Sequence, residues 1–140
     1  MLRALWLSCL VFTSGAALAQ QSLRTVELRA GMYRIEAEVA STEKQHEIGL
    51  MHRASMPAHA GMLFVFDQAQ EYCFWMKNTQ IPLSIAFLDE AGKIVNIADM
   101  QPQSEENHCA AKPVRYALEM NQGWFRSKGI KAGSSIQGIK

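Results

Sequence analysis

Apolar and charged residues alternate through two arms near the start of the chain. Val26 and Leu28 alternate with Glu27 and Arg29. After Ala30-Gly31, Tyr33, Ile35, Ala37 and Val39 alternate with Arg34, Glu36 and Glu38. A period of two with one charged face predicts a β-hairpin half-buried on a core. Thr42 followed by Gln45 forms a capping box, which predicts a helix running to about His52, with Ile48 and Met51 on one face. Gly49 within that helix costs about 1 kcal/mol against alanine, so it marks close packing against a strand.

Met56 to Gly61 reads as a loop, and Gly61-Met-Leu-Phe-Val-Phe66 as a buried strand. Asp67 to Gln70 turns the chain into a strand over Tyr72 to Met76. Ser84 to Leu88 and Lys93 to Ile97 flank Asp89-Glu-Ala-Gly92, a hairpin connection in which Gly92 takes positive φ. Gln101 to Pro113 is a polar loop. Val114, Tyr116, Leu118 and Met120 then alternate with Arg115, Ala117 and Glu119, the pattern of another half-buried strand. Asn121 is placed to cap a second helix carrying Trp124 and Phe125, closed by Gly129 and Ile130, before a last strand over Ser135 to Ile139. The elements predict an α+β fold: about eight short, mostly antiparallel strands coiled toward a barrel, with two short helices packed outside.

The ends of the chain change the picture next. Met1 to Ala19 has the three parts of a secretory leader: Arg3, an apolar run over Ala4 to Phe12, and Ala17-Leu18-Ala19 before the cleavage point. Export to the periplasm or medium is expected, with residues 20–25 flexible and 26–140 forming one globular domain. No mature segment approaches the roughly 20 apolar residues of a spanning helix. The whole chain has 14 basic and 13 acidic side chains, so losing Arg3 leaves the two balanced. No basic stripe stands out, which argues against nucleic acid as a partner.

Of 3 cysteines, Cys73 and Cys109 lie beyond the leader. An even pair in an exported domain predicts a disulfide, worth about 4 kcal/mol on the chain-entropy account. The alternative is a reactive thiol at Cys109, beside His108.

Between Cys73 and Leu83 the apolar pattern breaks at Lys77, Asn78 and Thr79. A charge, an amide and a hydroxyl at a strand end can hold a carboxylate, a phosphate or a sugar edge. Arg53, just after the first helix, is the fourth candidate. The structural alternative is that Asn78 and Thr79 satisfy backbone at a turn while Lys77 is solvated. Trp75, Trp124 and Phe125 are expected as core anchors; an exposed Trp75 beside Lys77 and Asn78 would instead suggest a stacking platform.

Phe74-Trp-Met-Lys-Asn-Thr79 with Ile81-Pro-Leu83 resembles the bacterial and archaeal family known as domain of unknown function 192. The resemblance extends to Gly49-Leu-Met51, Gly61 to Phe66, Phe87-Leu-Asp89, Gly92 to Val95, Tyr116 to Glu119 and Gly123-Trp124. It implies a small β-rich domain, often exported, and no activity. Members often carry aspartate where this chain has Ser84, which weakens any scheme needing a carboxylate there.

Other chemistries are less well supplied. Met51, His52, Met56, His59 and Met62, with His46, Met76 and His108 elsewhere, are soft ligands suited to Cu(I). Yet the methionines sit in core patterns, and no compact zinc spacing occurs. No metal or cofactor is expected. Serine-nucleophile, P-loop and dinucleotide motifs are absent. The carboxylates of Glu43, Glu47, Asp67 and Asp89 read as solvated. The sequence therefore points to non-catalytic binding of a small polar ligand or a protein partner, with an uncharacterised enzyme and a copper binder as alternatives.

Overall fold

A computed structural model describes residues 22–140. The expected leader, and residues 20 and 21 after it, lie outside the described residues. Nine strands form. β1 (Thr25–Ala30) and β2 (Tyr33–Ala40) make the expected hairpin, in register from Thr25↔Glu38 to Ala30↔Tyr33. Helix α1 (Glu43–Ile48) follows, then β3 (Ala60–Gln70), β4 (Cys73–Phe74), β5 (Leu83–Leu88), β6 (Ile94–Met100), β7 (His108–Cys109) and β8 (Val114–Asn121). Helix α2 (Trp124–Ser127) and β9 (Ile136–Gln137) complete the chain.

Seven strands form one sheet in the order β6-β5-β8-β3-β2-β1-β9, and β4 pairs with β7 in a separate small ladder. All pairings are antiparallel except β2 with β3. That parallel pair has a local cause: the chain crosses over through α1 and its following loop instead of a tight turn, as parallel neighbours require. The sheet is therefore mixed and mostly antiparallel.

The sheet curls into a half-barrel. Its two edges meet at one end, where Ile94 N–H donates to Ser134 O at 2.8 Å and Ile136 N–H donates to Gly92 O at 2.8 Å. Ile94 and Ile136 come from opposite edge strands yet share one apolar cluster with Leu28, Ile35, Leu63 and Leu118, which fills the hollow of the curl. The other face carries a second cluster, including Met62, Phe64, Met76, Ile85, Phe87 and Ala117. β5 is buried at every position. β5, most of β8 and the first half of β3 are thus covered on both faces, whereas β1 and β2 keep one exposed face.

Several expectations shift in detail. The capping box is present, with Gln45 N–H donating to Thr42 Oγ1 and Thr42 N–H to Gln45 Oε1, both at 3.2 Å. The helix nonetheless stops at Ile48, short of His52, because Gly49 (φ 46°) leaves helical geometry. Gly49 does pack closely on a strand, since a β-carbon there would lie 3.3 Å from Phe64 Cζ. β3 runs on through Gln70 with a register shift after Val65, where a turn was expected. Asn121 ends β8 and caps no helix; its amide donates to Met56 O at 3.0 Å and Pro57 O at 3.2 Å. α2 is one short turn opened by Gly123, and it closes as expected, with Ile130 N–H donating to Phe125 O at 2.9 Å. Among the described residues no helix is long and apolar enough to cross a membrane.

Candidate functional site

The polar corner is built by tertiary contacts. Asn78 adopts a left-handed φ of 54°, which asparagine tolerates better than most residues. Its carbonyl accepts from His52 N–H at 2.9 Å, tying the corner to the segment after α1. Thr79 is buried, and its Oγ1 donates to Lys77 O at 3.2 Å. The Met76 N–H donates to Ser104 O at 2.8 Å, and Gln103 N–H to Thr79 O at 3.0 Å. Lys77 projects outward. Its Nζ sits 5.1 Å from the centre of the Trp75 ring and 3.9 Å from Glu105.

A cleft of about 610 Å³ opens between α1 and this corner. His46 to Met51 line one side, and Cys73 to Trp75 with Lys77 to Thr79 line the other. Phe64, Phe66 and Tyr72 complete an aromatic wall. The rings support one another: Phe66 stacks on Tyr72 with centroids 3.7 Å apart, and Phe74 meets Phe64 edge-on at 4.9 Å. The wall is held by a Cys73–Cys109 disulfide across β4 and β7, with Cα atoms 4.0 Å apart.

Glu119 also lines this cleft, although it is only 5% exposed. It lies toward the end of β8, an interior strand, opposite Met62 of β3 and Ile85 of β5. Among the described residues its carboxyl has no hydrogen-bond or ion-pair partner. Burial pushes its pKa up from 4.5 to about 8, so the group is largely protonated at neutral pH. Perturbed acids of this kind concentrate at functional sites.

The structure brings Lys77, Asn78 and Thr79 to one mouth. Arg53 lies behind it and does not line the cleft: its guanidinium pairs with Glu38 through both NH groups. Trp75 is 45% exposed, so it is not the core anchor expected, whereas Trp124 and Phe125 are buried. Ser84 faces away from the cleft. Its hydroxyl donates to Asp99 Oδ1 at 2.5 Å and accepts from Gly123 N–H at 2.9 Å. That bond, assisted by Arg126, holds the Asp99 carboxyl below its ordinary range against the opposing effect of burial.

The soft-ligand residues are dispersed in role. Met62 and Met76 are core, and His46 Nε2 lies 3.0 Å from Ala40 O. No group of three or more His, Cys, Asp or Glu residues gathers in metal-holding geometry among the described residues.

Glu119 was missed from the sequence because Arg115, Ala117 and Glu119 read as a solvated face. One signal was available. The runs Gly61–Phe66 and Ile85–Leu88 are apolar at consecutive positions, which means strands covered on both faces. A strand lying between two such runs has no solvated face for an acid.

No curated protein matches the chain. Two crystal structures resemble it closely. One, from Novosphingobium aromaticivorans DSM 12444, is of a protein of unknown function. It is 31% identical, with a TM-score of 0.81 over 85% of this chain and 89% of that one. The other, from Sinorhizobium meliloti 1021, is provisionally described as a transcription regulator. It is 34% identical, with a TM-score of 0.76 over 81% of this chain and 92% of that one. The family model for domain of unknown function 192, described as an uncharacterized ACR, matches residues 25–138, and the chain belongs to that family.

Proposed function

We propose that this is an exported, non-catalytic domain that binds a small polar ligand in the cleft over Glu119, with Lys77, Asn78 and Thr79 at the mouth. One observation carries the reading: a carboxyl on an interior strand faces a cleft and lacks a partner among the described residues. The carboxyl is cut off from bulk water and opens only onto the cleft, and a ligand that bonds it there replaces the hydration lost on burial. The concave, aromatic-walled shape with few polar groups suits a small molecule better than a protein surface. Arg53 supports the site from behind, fixing the loop whose His52 holds Asn78. Periplasmic or secreted placement draws on the leader pattern and on the Cys73–Cys109 pairing.

A regulatory role at DNA, suggested by the description of the Sinorhizobium protein, draws no support from the balanced charge of the mature chain. A second reading is catalytic. An acid held protonated near neutrality by an apolar pocket can serve as a general acid, and His46 lines the same cleft. Turnover lost in Glu119→Gln would establish it.

A thermal-shift screen of the mature protein against sugars, amines, carboxylates and nucleotides tests the binding reading. Ligands that raise the melting temperature of the wild type but not of Lys77→Ala or Glu119→Gln are expected. Stabilisation that survives both substitutions would place the site elsewhere.

A further inference from the structure

We infer that the cleft takes a small organic cation, an alkylammonium whose head sits against Glu119 and the surrounding rings. The inference rests on the binding reading above and specifies its ligand class.

Glu38, Met62, Glu119 and Ile85 lie side by side on β2, β3, β8 and β5. The two acids are two strands apart, about 10 Å at ordinary strand spacing. The fold answers them differently. Glu38 receives the Arg53 guanidinium in a two-pronged pair. Glu119 receives no cation from the described residues and opens onto the cleft instead. Unpaired, the group keeps its proton; its ionised form is stable there only against a positive partner or a donor.

The walls decide between those two. Tyr72, Phe74 and Trp75 line the cleft with partly exposed rings, over the buried Phe64 and Phe66. Tyr72 directs its hydroxyl away, donating to Gln68 O at 2.8 Å, and so presents only its ring. A sugar stacks on such rings as well, but only a cation also neutralises the ionised form of Glu119. Trp75 already takes the Lys77 ammonium over its ring at 5.1 Å, and the exposed parts of Tyr72 and Phe74 offer a ligand cation the same kind of contact, by which proteins recognise quaternary ammonium groups. Lys77 at the mouth sets the orientation. It repels a second positive charge, so the head points inward and a neutral or anionic tail lies outward.

Calorimetry on the mature protein tests this with choline, glycine betaine and 3,3-dimethyl-1-butanol, the uncharged isostere of choline. Choline and betaine are expected to bind, and the alcohol to bind at least ~10-fold more weakly, as the loss of a cation–π and ionic contact requires. Glu119→Gln, checked for an unchanged fold by circular dichroism, should lose at least ~10-fold in choline affinity while preserving the shape of the site. Pairing needs the carboxylate form, so wild-type affinity should rise about tenfold from pH 6 to pH 7 and level off above pH 8. His46 and Glu47 on α1, Tyr72 before β4 and Lys77 after it also face the cleft. A pH dependence that persists in Glu119→Gln would therefore belong to them and overturn the assignment.

Equal affinity for choline and the alcohol would overturn the cation class. So would lost binding of a screened sugar or carboxylate in Glu119→Gln with no cation binding at all, although that result leaves the cleft as a ligand site. No binding of any probe by the wild type would overturn both.

Discussion

Glu119 keeps in the folded chain a proton that the unfolded chain loses. Its pKa is about 8 when folded and near 4.5 when exposed, so the folded state binds more protons between those values. Wild-type stability contains no penalty from this group below pH 4.5, declines as pH rises toward 8, and levels off beyond. The slope approaches about 1.4 kcal/mol per pH unit. Glu119→Gln removes it, so the stability difference between variant and wild type should widen by a few kcal/mol from pH 5 to pH 8 in denaturant titrations. A pH-independent difference would show that the acid is solvated. Lys77 and Asn78 separate binding from folding in a different way. Lys77 is half-exposed, and its pair with Glu105 is long and wet. Lys77→Ala should shift stability by under about 0.5 kcal/mol while weakening betaine, whose anionic tail lies toward Lys77. Asn78→Ala should cost about 1 kcal/mol, because alanine tolerates a φ of 54° less well than asparagine, and Asn78→Gly should recover most of it. Unchanged betaine affinity in Lys77→Ala would move the mouth of the site away from this corner.

The β4–β7 ladder is two residues long on each side and carries the Phe74 wall of the cleft. Its disulfide spans 36 residues of sequence, worth about 4 kcal/mol on the chain-entropy account. Reduction should lower the melting temperature and also weaken ligand binding, because the wall loses its tether. Binding untouched by reduction would mean that the aromatic packing holds the wall alone. The turn between β5 and β6 is as tight as the sequence implied. Asp89 Oδ1 accepts from Ala91 and Lys93 N–H, both at 2.9 Å, and Gly92 has φ 79°. A β-carbon at Gly92 would also meet Ile136 O at 2.6 Å, where the sheet edges join. Gly92→Val should therefore destabilise by more than about 2 kcal/mol, and an unchanged denaturant midpoint would contradict the closure. These elements were readable because their signals are local: alternation, a capping box, a turn glycine, a paired cysteine count. The ends of α1 and the cap of α2 were not. Gly49 and Asn121 answer to Phe64 and to the Met56–Pro57 backbone, partners that only the tertiary structure supplies.

The same distinction governs the molecule. An α+β fold of mostly antiparallel strands followed from periodicity, but the sheet order did not. Placing β8 between β3 and β5 depends on pairings far apart in sequence. That order puts Glu119 indoors and makes the opposite acid, Glu38, its contrast. The exposure of Trp75 has a similar origin, since the Cys73–Cys109 ladder turns this residue out over the mouth while Phe74 packs inward. The polar corner was visible as a break in an apolar run; the acid it faces lay outside what one strand's pattern reveals. The central claim is that a protonated, unpartnered Glu119 waits at the base of the cleft. Carbon-13 NMR of the Glu119 carboxyl, titrated without and with choline, tests it most directly. The account predicts a titration near pH 8 in the free protein, moving downward when the cation binds. A midpoint near 4.5 in the free protein, or one near 8 that saturating choline leaves in place, would contradict it.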